Sequence, residues 1–144
     1  MENSKKIDPD RGRDALRALA TSNGASWILR IAVAGEFIGH GVFGLQAKQG
    51  WIPYLTSVGI SANTAVTLLP LIGALDIALA ILILIKPIRI ALLWMTFWAF
   101  ATALIRPIAG EPIWDFVERF ANIGAPLALL YLQGIPKNLQ GWFK

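Results

Sequence analysis

An all-α fold with four helices crossing a lipid bilayer is what this sequence predicts, and three features carry the prediction. Of 144 residues, 56% are hydrophobic and only 15% charged, and mean hydropathy is +0.57, above what water-soluble domains carry. The apolar residues gather in four stretches, 25–45, 64–85, 88–105 and 113–132, each close to the ~20 residues that cross a hydrocarbon layer ~30 Å thick. Lysines and arginines concentrate on one side of those stretches.

Residues 1–24 read as a cytoplasmic tail, in which Asp10-Arg11-Gly12-Arg13-Asp14-Ala15-Leu16-Arg17 forms a short surface helix anchored on anionic lipid. Ala32-Val33-Ala34 imitates a signal-peptidase site, but Arg30 interrupts the short apolar run before it, so the first span is expected to be retained. The 46–63 connection is too long for a simple turn, contains Pro53 and two glycines, and is expected to lie on the outer surface as a partial lid. The second and third spans are joined by a short basic turn. The fourth opens on a charged turn with Glu111, Pro112, Asp115, Glu118 and Arg119, where acids suit the positive end of a helix dipole and Asp115 stands four residues before Arg119. Pro126, two residues after Gly124, reads as a kink. Residues 134–144 form a second cytoplasmic tail.

Orientation follows from charge. Outside the spans, Lys5, Lys6, Arg11, Arg13, Arg17, Lys86, Arg89, Lys137 and Lys144 fall on one side and only Lys48 and Arg106 on the other. Nine against two puts both termini in the cytoplasm. Trp27 and Trp142 then lie near the inner boundary, and Trp51, Tyr54 and Trp114 near the outer one, where amphipathic rings prefer to sit. Trp94 and Trp98 differ, being four apart within the third span, and read as packing or lipid contact ahead of a stacking platform for a ligand.

Composition also excludes. With no cysteine, disulfides, thiolate metal sites and Cys-x-x-Cys relays disappear together, so a redox role must borrow a cofactor or a partner. A net charge of +4 with no basic stripe on a soluble domain argues against nucleic acid. One histidine cannot supply a bis-histidine haem pair, and no metal site is expected from a generic cluster of Glu36, His40 and Asp76. No triad order, phosphate loop or H-E-x-x-H pattern is present.

The chemistry-bearing residues are those set deep in the spans. At 1.5 Å per residue, Glu36 lies about 3 Å outward of the midplane and His40 about 9 Å, on one helix face, and Asp76 reaches a similar depth on the second span. A charge there costs at least ~2.5–3.5 kcal/mol, so both acids are expected to face the bundle interior, paired, protonated or watered. Arg106 ends the third span, and Glu118 and Arg119 enter the fourth, so these groups converge on the outer half with Glu36, His40 and Asp76. A functional polar pocket and a purely structural interhelical network both fit them, and His40 divides between ligand contact and packing. Gly35-x-x-x-Gly39, with Gly41 and Gly44 beside it, suits close helix approach.

The segments "R-x5-E-F-I-G-H-G-x-F-G", "LIGALDIALAILILI" and "ALIRPIAGEPIWDFVERFANIGAPLALL" resemble the DoxX family of small four-helix bacterial membrane proteins over about residues 27–133, chiefly at Arg30, His40-Gly41, Gly73 and Arg106. Relatives often carry glutamate where this chain has Asp76. The resemblance implies a bacterial inner-membrane subunit linked in some members to quinone or thiol redox systems, the thiol branch being disfavoured here. Three functions follow as expectations. The first is a redox-associated subunit, without activity of its own, whose outer-half pocket takes a quinone-like or other lipophilic ligand beside a membrane oxidoreductase. The second is a non-catalytic binding or assembly protein for another membrane protein. The third is a small transporter or proton path.

Overall fold

A computed structural model describes residues 9–144, with side chains from residue 18 onward. The tail lysines Lys5 and Lys6, and the side chains of Arg11, Arg13 and Arg17, lie outside the described residues. Every regular element described is helical: α1 (Pro9–Leu45), a 3-10 turn (Gln49–Trp51), α2 (Ile52–Ser57), α3 (Ala62–Ile85), α4 (Arg89–Ile108), α5 (Trp114–Val117), α6 (Phe120–Leu132) and a terminal 3-10 turn (Leu139–Phe143). Three helices are long and apolar enough to cross a membrane, over Ala18–Leu45, Ala62–Ile85 and Arg89–Ile108.

Two boundaries differ from the sequence expectation. The surface helix at residues 10–17 is not separate from the first span; α1 runs unbroken for 37 residues, about 55 Å. No proline interrupts it after Pro9, and a lone interior glycine such as Gly24 costs only ~1 kcal/mol, too little to break a helix of this length. The fourth stretch, by contrast, is not one helix. It stops at Val117 and resumes at Phe120, with Glu118 and Arg119 in the break. The 13 residues of α6 span about 20 Å, short of a ~30 Å hydrocarbon layer.

Helix ends are set by local chemistry. Beyond α1, Ala47 adopts a left-handed conformation (φ 44°), and paired bonds from Ala47 N to Gly44 O (2.8 Å) and from Lys48 N to Phe43 O (3.1 Å) close a Schellman motif. Ser61 caps α3, its hydroxyl accepting from Thr64 N at 3.2 Å. Pro87 forces Lys86 into an extended conformation (φ −146°), which ends α3. Gly110 (φ 95°) closes α4 in a second left-handed cap.

The helices pack in the order α3, α1, α6, α4: α1 lies along α3, and α6 bridges α1 to α4, whereas α3 and α4 meet only sparsely despite their short connection. Glycines set the α1–α3 crossing. A Cβ on Gly73 would fall 2.5 Å from Gly41 O and Leu45 N, and one on Gly44 would fall 2.8 Å from Gly73 Cα. Gly35 and Gly39 have nothing within 4 Å of such a Cβ, so the close face is Gly41/Gly44 against Gly73 and the expected Gly35/Gly39 pair does not form it. The apolar core, including Val33, Phe37, Ile83, Leu92, Met95 and Leu129, fills the half of the bundle nearer the α3–α4 turn.

Arginines close that end. Arg30, on α1, donates through Nε to Ile83 O at 3.0 Å and through Nη2 to Leu84 O and Ile85 O, supplying the last carbonyls of α3 that have no partner within their own helix. Its guanidinium also lies 4.0 Å over the Trp27 ring. Arg89, at the start of α4, donates to Gln133 O (2.8 Å), Gly134 O (3.0 Å), Gly141 O (3.2 Å) and Lys144 O (3.1 Å). The segment expected to be a plain tail, 134–144, is thereby held against α4.

Candidate functional site

Opposite the core, the bundle is hollow. A cavity of about 280 Å³ is walled by α3 (Leu68, Leu69, Ile72, Asp76) and α4 (Trp98, Thr102, Ile105, Arg106), with His40 and Arg119 from α1 and the α5–α6 break. Its roof is the 46–63 connection, expected to be a partial lid: Trp51, Tyr54, Leu55, Val58 and Ile60 all line the space, and α2 packs on both α3 and α4.

Asp76 lies deepest. Among the described residues it is the one charged residue in the buried core, 3% exposed, and its Oδ1 has no hydrogen-bond partner among them. The Trp98 side chain is within reach of its carboxyl group. Trp98 is in turn stacked on Trp94, with ring centroids 5.9 Å apart and planes 11° off parallel. One face of this pair therefore belongs to the cavity wall, while Trp94 is 42% exposed on the outside of the bundle.

Glu36 and His40 stand one helical turn apart on α1, both half-buried. His40 meets the edge of the Trp51 ring at 5.6 Å and lines the cavity. Glu36 sits behind the lining, with the Asn122 side chain and the Arg119 charge beside its carboxylate. Arg119 stands in the helix break, its backbone N–H bonded to Phe116 O at 3.1 Å. Its Nε is buried without a partner among the described residues, and its nearest carboxylate oxygen, from Glu118, is 3.7 Å from Nη2. The Glu118 side chain is 62% exposed and does not line the cavity, so this predicted site residue stands outside it.

A latch closes the roof. Tyr54 Oη donates to one carboxylate oxygen of Glu111, the other accepts from Arg106 Nη1 at 2.9 Å, and the Arg106 guanidinium lies 5.2 Å from the Tyr54 ring. The Tyr54 hydroxyl and the two nearby arginines hold the Glu111 carboxyl below its ordinary value of 4.5, the hydroxyl bond being the largest cause. Burial, and then the bond to Glu111, push the Tyr54 phenol above its ordinary 10.0. Glu111 reads in sequence as a helix-dipole acid and Tyr54 as a boundary aromatic; neither reading contains the bond between them, which joins residues 57 positions apart. Asn122 is likewise not marked by spacing, and Trp98, marked by its place four residues after Trp94, reads first as packing although it lines the cavity. The one available clue is that Glu111 lies five residues after Arg106 across Gly110, a distance one capped turn can close.

The residues define a class: an all-helical protein with three described helices long and apolar enough to cross a membrane and an apolar cavity into which a few convergent polar groups are set, the usual make-up of a small-molecule site. Comparison with protein families, with curated proteins and with solved structures finds no match.

Proposed function

We propose that this chain is a DoxX-like subunit of the bacterial inner membrane, associated with a redox enzyme, whose cavity receives a quinone-like head group. In this reading α5 and α6 together make a fourth, interrupted crossing, since residues 114–132 cover about 28 Å, and both termini face the cytoplasm, as the basic residues ask. The observation that carries the proposal is the Asp76 oxygen, buried at the cavity wall without a partner among the described residues. Such a group costs ~1–3 kcal/mol until something bonds to it. A quinol hydroxyl donates to Asp76, a quinone carbonyl accepts from the Arg119 guanidinium, and the indole of Trp98 offers an aromatic face to the ring. His40, at the wall beside them, can relay a proton.

The test is extraction and titration. Protein purified from native membrane is expected to carry quinone detectable by mass spectrometry, and Asp76→Asn and His40→Ala are expected to weaken quinone binding about tenfold or more, ~1.4 kcal/mol. Glu36→Gln, acting through Arg119, is expected to weaken it less. Absence of binding to every form, wild type included, refutes the proposal.

A further inference from the structure

We infer that the cavity is filled sideways from the bilayer, through the slot between α3 and α4, by a single-tailed lipid amphiphile whose head enters and whose tail stays in the slot. The inference rests on the ligand-binding reading above and adds the class of occupant and its route.

Four observations lead to it. Helices joined by a short connection ordinarily pack along each other as antiparallel neighbours. Here Lys86–Ile88 joins α3 to α4, yet the two meet only sparsely, each packing on another helix instead. The space left between them is the cavity, and its walls there are mostly apolar, Leu68 and Ile72 from α3 and Ile105 from α4, with the Thr102 hydroxyl bonded back to Trp98 O of its own helix. The water-facing end is shut, because α2 lies across both helices and the Tyr54–Glu111–Arg106 latch ties it to the end of α4.

Size decides what can fit. A volume of about 280 Å³ is at the small end of ligand pockets, which run ~300–1,000 Å³. That is room for a ring-sized head and none for a long tail, so the tail of any lipid-soluble occupant lies where the wall is open. At the cavity, Asp76 Oδ1 and Arg119 Nε, both without a partner among the described residues, ask for a head whose ring oxygens accept from Arg119 and, once reduced, donate to Asp76.

The chain has no cysteine, so Leu68→Cys with Ile105→Cys gives a single pair across the slot. The doubly substituted protein, in lipid nanodiscs, is bridged with a reversible bis-methanethiosulfonate reagent, and association of a decyl-chain benzoquinone is followed by tryptophan fluorescence. Bridging is expected to slow association about tenfold or more relative to the same protein after reduction. Glu111→Ala, which releases the latch and leaves the slot alone, is expected to leave the rate as in wild type. A bridged protein that takes up the quinone as fast as the reduced one, or a faster rate in Glu111→Ala, overturns the lateral route while leaving the site intact. No quinone binding by any form, wild type included, instead overturns the ligand-binding reading on which this inference rests.

Discussion

Single side chains decide where this bundle can close and where it cannot. Gly73 faces the α1 backbone so closely that a leucine there forces the helices apart, and Gly73→Leu is expected to destabilise by about 1–3 kcal/mol or more. Gly39→Ala is expected to be neutral or slightly stabilising, because its Cβ meets open space and alanine favours helix. Thermal unfolding in detergent compares the two, and an equal loss for both would contradict the crossing described. Sequence shows that glycines gather in the first span, but i, i+4 spacing alone cannot say which face meets a neighbour, so Gly35/Gly39 stood as good a candidate as Gly41/Gly44. Depth was more informative. The cost of a charge in hydrocarbon demanded an interior place for Asp76, and it is buried. The latch makes a second residue-scale prediction. Because the folded Glu111 carboxyl titrates below its ordinary value, its stabilising effect is fully present above about pH 4.5 and is lost as pH falls through the depressed value. Tyr54 behaves oppositely: its phenol titrates above 10.0, so its contribution holds below that pH and fades as pH rises through the raised value. The protection factors of the amides in residues 51–58, which divide out the intrinsic pH dependence of exchange, are therefore expected to be highest between these limits and to fall in acid; in Tyr54→Phe they should already be lower at neutral pH, with a weaker acid response. Unchanged exchange in Tyr54→Phe would dismiss the latch.

At the scale of elements, composition located the long apolar helices well and their interruptions poorly. The 64–85 and 88–105 expectations fall within a few residues of α3 and α4, because Ser61, Pro87 and Gly110 punctuate the chain where helices must start or stop. The break at Glu118–Arg119 carries no proline or glycine to announce it, and the fusion of the surface segment with α1 follows from the lack of any stop. Arg89 reads in sequence as a topology charge, yet it gathers four main-chain oxygens of the last twelve residues. Arg89→Ala is expected to loosen residues 134–144, seen as protease cleavage there about tenfold faster, since hydrogen bonds to a charged group are worth ~1.5–3 kcal/mol. Arg89→Lys should rescue little, because an ammonium lacks the planar fork that reaches several acceptors together. Full rescue by lysine would mean that charge alone holds the segment.

For the whole molecule, the division into a packed half and a hollow half was invisible in the sequence, since it depends on which helices choose each other. Hydropathy marks α3 as the most apolar of the three long helices but does not say which helices pair; only the α1–α3 glycine contact and the α4–α6 pairing leave α3 and α4 apart. Orientation can be measured directly. In intact cells Ser57→Cys is expected to react with a membrane-impermeant maleimide and Lys137→Cys only after permeabilisation; the opposite result would reverse the proposed threading, and labelling of both from outside would remove the fourth crossing. The partnership of Arg30 with the end of α3 has a further consequence for biosynthesis. Its acceptors lie 53 to 55 residues downstream, and at ~5–20 residues per second a ribosome needs about 3–11 seconds to deliver them. During that interval the newborn first helix holds a guanidinium with the Trp27 ring beside it but without its main-chain acceptors, which favours delay in the translocation channel or against a chaperone until the later helix emerges.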